Sequence, residues 1–161
     1  MDYRHNRSFM AMLVLFGAAL LTAPAIAQPP ANERQQQAAA ETITPLPDLA
    51  TTTAGEPLLY PSTPNPVISS DILTVPSGGV TRWMIHPNPE YLYILEGDLT
   101  VQFVDGKEKT FHQGQILLQP RAVWHRGRNE GKGPLRFLAV SFGAKGVPAI
   151  LHPPGDSVAT N

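Results

Sequence analysis

From about Glu56 to Phe142 the chain alternates short β-rich runs with turn residues, and no stretch sustains an apolar period near 3.6. That pattern excludes an amphipathic helical bundle and predicts an all-β domain. Strands are expected over 67–75, 80–86, 91–96, 98–104, 107–112, 115–119, 123–128 and 135–142. Asp105-Gly106 lies between two of these runs and reads as a tight hairpin in which both central residues take positive φ. Gly78-Gly79 and Gly131-Lys132-Gly133-Pro134 mark further turns. Many short strands in so small a domain predict a closed or double-sheet antiparallel barrel, which deals with exposed edges.

The 161 residues suffice for one such domain and not comfortably for two. Residues 1–27 read as a secretory signal peptide. Arg4, His5 and Arg7 form a basic start, Phe9 to Leu21 is an apolar run, and Ala25-Ile26-Ala27 is a small-residue cleavage site before Gln28. The apolar run is shorter than the roughly 20 residues that a spanning helix needs, so cleavage is expected rather than anchoring. The expected destination is outside the cytoplasm: the periplasm if the source is a Gram-negative bacterium, otherwise secretion. Residues 28–55 are rich in Pro, Gln, Ala and Thr and read as a disordered linker, with at most a marginal helix near 32–41. This stretch either reaches back to the domain from outside or only tethers it. The domain itself is placed at 56–150, and 151–161 is read as a flexible tail.

Removing 1–27 takes away Arg4, Arg7 and Asp2, which leaves 10 basic side chains against 12 acidic of the original 12 and 13. A faintly acidic chain is a poor match for nucleic acid. Without a polybasic cluster it has no electrostatic hold on a membrane after signal cleavage. The chain has no cysteine, so disulfides and thiolate metal sites are excluded.

Two polar clusters interrupt the barrel pattern. One is Arg82-Trp-Met84-Ile-His86-Pro-Asn-Pro-Glu90, and the other is Pro120-Arg-Ala-Val-Trp-His125-Arg-Gly-Arg-Asn129. Side chains alternate across a strand. If His86 faces inward, Met84 and Arg82 do so too, and Trp83 and Ile85 face out. If His125 faces inward, Val123 and Gly127 join it, and Trp124, Arg126 and Arg128 face away. Glu90 shares its face with Leu92 and Ile94. A buried carboxylate needs a partner, and a cation shared with two imidazoles supplies one. His86, Glu90 and His125 are therefore the candidate metal ligands, a two-histidine, one-carboxylate set that leaves positions open. Met84 and Arg82 are the candidate substrate contacts, Arg82 because a guanidinium pairs with a carboxylate. The outward Trp83 and Trp124 mark a dimer face or lie under the segment that precedes the first strand.

These two clusters resemble the two motifs of the cupin superfamily. The first family motif has two histidines one residue apart, then a glutamate and a glycine. Here His86, Glu90 and Gly97 match, and Met84 stands at the first histidine. In the second motif Gly114, Pro120, His125 and Asn129 match, and Ala122 replaces a glycine. The resemblance covers about 56–150. It implies a cupin-type double-stranded antiparallel β-barrel (jelly roll), usually paired as a homodimer, that often binds Fe, Mn, Ni, Zn or Cu inside. Members include dioxygenases and isomerases as well as binding proteins. The expected function is an exported barrel that binds a divalent metal and a small molecule, with or without dioxygenase or isomerase chemistry. The alternative is a non-catalytic, metal-free ligand-binding or interaction module, for which Met84 is the best support.

Overall fold

The computed structural model describes residues 42–156, together with Gln28 and Pro30. The expected signal peptide, the expected marginal helix, residues 29 and 31–41 of the expected linker and residues 157–161 lie outside the described residues. Residues 44–156 form one compact unit.

Seven strands build it: β1 (Pro66–Val75), β2 (Glu90–Glu96), β3 (Asp98–Phe103), β4 (Glu108–His112), β5 (Ile116–Leu118), β6 (His125–Arg128) and β7 (Leu135–Ala144). All pair antiparallel, in a four-stranded sheet of order β1-β7-β2-β5 and a three-stranded sheet of order β4-β3-β6. No α-helix occurs among the described residues. Strict alternation explains the inner faces. Glu90, Leu92 and Ile94 of β2 are buried with Leu135, Phe137, Ala139 and Ser141 of β7. One apolar cluster joins these to Leu99, Val101 and Phe103 of β3, so the two sheets share a core. Burying each such side chain is worth about 1.5–3 kcal/mol before the entropy of ordering it is counted.

The structure departs from the sequence reading in four places. Residues 80–86 form no continuous strand. They touch β6 only through isolated pairings, Val80 with Arg128 and Met84 with His125. The step is one residue longer on the 80–84 side, and the Gly127 N–H donates to the Thr81 hydroxyl at 2.8 Å instead of to a ladder carbonyl. A side-chain oxygen that competes for a ladder donor interrupts regular pairing.

The β3–β4 hairpin is not the tight type. Gly106 has φ +85°, but no non-glycine residue among those described has positive φ. The Gly106 N–H donates to Phe103 O, and the Lys107 N–H donates to the Asp105 carboxylate. This is a longer loop with a single left-handed glycine.

The stretch read as linker reaches the domain from Thr51 onward. Thr52 and Thr53 are buried, and the Thr53 N–H donates to Leu118 O at 2.9 Å. The tail is engaged as well: Leu151 pairs with Ile85, and His152 contacts the Trp83 carbonyl.

Gly97 joins the two sheets between β2 and β3 with φ +74°, and a Cβ there would sit 2.7 Å from the Pro134 carbonyl oxygen. Because the clash is with backbone, Gly97→Ala is expected to destabilise the domain by more than the ~1 kcal/mol of backbone strain alone. A urea melt of the two proteins measures this, and equal midpoints would refute it.

Candidate functional site

A cavity of about 470 Å³ lies between the sheets, lined by His86, Glu90, His125, Met84 and Arg82 among others. Its polar end is assembled from both sheets. The Met84 N–H donates to His125 O at 2.8 Å, and the His125 N–H donates to Met84 O at 3.1 Å. This reciprocal pair holds the 80–86 segment against β6. The Pro87-Asn88-Pro89 turn then carries the chain to Glu90 at the head of β2. Asn88 is buried there, packed against the backbone of Gly143, where a Cβ would meet it at 2.8 Å.

The imidazoles of His86 and His125 stand 5.2 Å apart, centroid to centroid, tilted by 30°. Both are fully buried. His125 Nδ1 lies 2.9 Å from the Val123 carbonyl. His86 Nδ1 lies 3.1 Å from Glu90 Oε2 and 3.2 Å from the Ala149 carbonyl. Every one of these partners is an acceptor, so Nδ1 carries a proton in both rings, and in the neutral form of each ring the lone pair lies on Nε2. Neither Nε2 has a hydrogen-bond partner. Burial pushes the His125 pKa down to about 4, against a rise from its bond to Val123, so this ring is neutral at pH 7.

His86 and His125 therefore come together. Glu90 lines the same cavity, and its Oε2 is engaged with His86 Nδ1. Among the described residues, no three His, Cys, Asp or Glu side chains converge as a metal cage. Met84 lies in the lining directly opposite His125 in the backbone pairing. Arg82 lines the cavity too, but its guanidinium is used elsewhere: Nη2 donates to His152 Nε2 at 2.6 Å, and Nη1 donates to Asp156 O at 3.3 Å. One face of Trp83 is covered by the Arg126 guanidinium, which stacks 4.8 Å from its ring. Asn129 is structural. It is 1 % exposed, and its amide group donates to Val75 O and Gly133 O and accepts from the Gly131 N–H.

The sequence reading missed part of the lining. Ala149, Ile150 and His152 close one side; the first two end the stretch assigned to the domain, and His152 lies in the stretch read as a tail. Gln119 also lines the cavity, and alternation with the inward Leu117 does predict its direction.

Glu56 supports the site from outside. Its carboxylate accepts the backbone N–H groups of Arg121 and Ala122 at 2.7 and 2.8 Å and the Thr52 hydroxyl at 3.0 Å. Burial raises the Glu56 pKa, but these three hydrogen bonds outweigh that, and the net shift is downward. A carboxylate lowered on folding stabilises the fold above its unfolded pKa, and this stabilisation is lost as pH falls through the folded value. Glu56→Gln is therefore expected to lower stability at pH 7, with the difference from the parent fading below pH ~4. Chemical denaturation at several pH values tests it, and a pH-independent difference would contradict it.

An antiparallel double-sheet barrel with a polar cavity between its sheets defines the class. Residues 71–141 match the family model described as Cupin domain, and the barrel belongs to the cupin superfamily. Over 67 residues the chain is 34% identical to germin-like protein subfamily 2 member 2 of Arabidopsis thaliana, covering 38% of this chain and 31% of that protein. Its fold is similar to oxalate decarboxylase from Lactobacillus farciminis, at 24% identity and TM-score 0.47, over 53% of this chain and 26% of that one. It is also similar to the polyketide cyclase RemF from Streptomyces resistomycificus, at 22% identity and TM-score 0.46, over 53% and 60% of the two chains. The chain thus spans about a third of the germin-like relative and about a quarter of the decarboxylase.

Proposed function

We propose that this is an exported barrel that binds a divalent metal ion through His86 and His125 and holds a small molecule in the cavity beside it. One observation carries the reading: two histidines that line one cavity each keep a buried ring nitrogen, Nε2, without a hydrogen-bond partner. Unpaired buried acceptors are unfavourable, and a cation removes that penalty at both. The donor set suits Zn, Cu, Fe or Ni better than Mn. Glu90 acts on His86 Nδ1, fixing the tautomer and ring orientation and raising the basicity of Nε2, as carboxylates behind ligating histidines do. The thioether of Met84 adds only a soft contact. An ion held here supplies Lewis acidity toward an oxygen-bearing ligand, and a metal-dependent dioxygenase or isomerase is the enzymatic form of this reading. The rival reading, a metal-free binding module, is favoured by Met84 in place of a third imidazole and by the engagement of Glu90 Oε2 with His86 Nδ1.

Elemental analysis of the purified mature chain decides between them. About one metal ion per chain is expected, lost in His86→Ala and in His125→Ala, with affinity lowered about 10- to 100-fold in Glu90→Gln. Sub-stoichiometric metal in the parent, unchanged in both histidine variants, establishes the metal-free module.

The proposal includes pairing. β1 is an outer strand of its sheet and exposes Val67, Ile68 and Ile72, and Ile68 and Ile72 are 66% and 59% exposed. An apolar edge of this length favours a second copy over water. Light scattering at micromolar concentration is expected to give twice the chain mass, and a monomer there counts against the pairing.

A further inference from the structure

The strand register sets four polar side chains in a single row across the inner face of the four-stranded sheet. Ser69 on β1 pairs with Ser141 on β7, and Ser141 pairs with Glu90 on β2. Gln119, one residue past β5, completes the row by donating its backbone N–H to Glu90 O at 2.9 Å. All four line the cavity. The next row is Ala139, Leu92 and Leu117, with Asp71 at its β1 end, and the one beyond holds Leu73, Phe137 and Ile94. The cavity is therefore polar at one level and largely apolar below it.

Gln119 stands out within the row. It is 7% exposed, and its Oε1 is buried with no hydrogen-bond partner. Leucine at this strand end would fill the space without stranding an acceptor. The amide is thus unfavourable in the free protein, and a ligand that brings a donor relieves it. A charged donor is a poor match, because the largely apolar walls give little to offset its loss of hydration. A hydroxyl both donates and accepts, as an amide does. Leu99, Val101 and Phe137 supply apolar wall for the rest of the molecule.

We infer that Gln119 is a specificity-determining residue of this cavity. Its amide oxygen accepts a hydrogen bond from a hydroxyl of the bound ligand, so the ligand class is a largely apolar small molecule that carries a hydroxyl. The inference rests on the small-molecule part of the proposed function and is independent of the metal.

Phenol and toluene are matched probes for it, titrated into the mature chain and followed by protein NMR. The parent is expected to bind phenol more tightly than toluene. Gln119→Leu is expected to weaken phenol about 3- to 10-fold, with toluene unchanged or tighter. The ligand-free variant is expected to melt at or above the parent's temperature, because an unpaired polar group gives way to an apolar one of similar size. Four outcomes overturn the inference: neither probe binds the parent, phenol and toluene bind it equally, the variant weakens both alike, or the variant unfolds or melts several degrees lower. The last result would make Gln119 a structural residue. Metal content of the same samples separates the two proposals, since a metal-free parent that still prefers phenol supports the role of Gln119 while the metal reading fails.

Discussion

The reciprocal backbone hydrogen bonds between Met84 and His125 hold the site together. His125 sits on β6, in the three-stranded sheet, and the segment 80–86 leads into β2 of the four-stranded sheet. Pinning Met84 to His125 places His86, two residues on, beside the second imidazole, with centroids 5.2 Å apart. The irregularity at Thr81 belongs to the same arrangement, because its hydroxyl takes the ladder position at Gly127 and lets the segment leave β6 toward the other sheet. A continuous strand would have stayed with one sheet and left the cavity without its polar end.

Around that pair, the packing serves orientation more than hydrophobic filling. Glu90 and the Ala149 carbonyl hold one Nδ1, and the Val123 carbonyl holds the other. The loop that presents Val123 and His125 is tied at Arg121 and Ala122 to Glu56, and the C-terminal residues 149–156 are tied to Arg82 and Trp83. Segments on both sides of the barrel thus act on its interior. The same interior keeps Nε2 of both histidines and Oε1 of Gln119 without partners. Unsatisfied buried groups are unfavourable in a low-dielectric core, and these three belong to residues that line one cavity.

Much of this was legible in the chain. Alternation in 90–96 and 135–142 predicts which side chains point inward, and Glu90 with Leu92 and Ile94 follows that rule. The motif spacing singles out His86 and His125, and Gly97 is called for by a left-handed turn. Local chemistry misled in two places. Asp105-Gly106 suits two hairpin types, and the one formed needs positive φ only at the glycine. The stretch 80–86 has strand composition, but its pairing is broken by a side-chain oxygen that no propensity registers.

The sequence by itself determined the β architecture, the inward parity of β2 and β6 and the two histidines, because periodicity and motif spacing are local properties of the chain. Only the tertiary structure decided which nitrogen of His86 is hydrogen-bonded, that Glu90 anchors this ring, that Arg82 is spent on His152, and that Ser69, Ser141, Glu90 and Gln119 form one row. Those outcomes depend on registers between strands far apart in sequence and on where the chain's ends lie against the barrel. Both are set by the packing of the whole domain and leave no local trace.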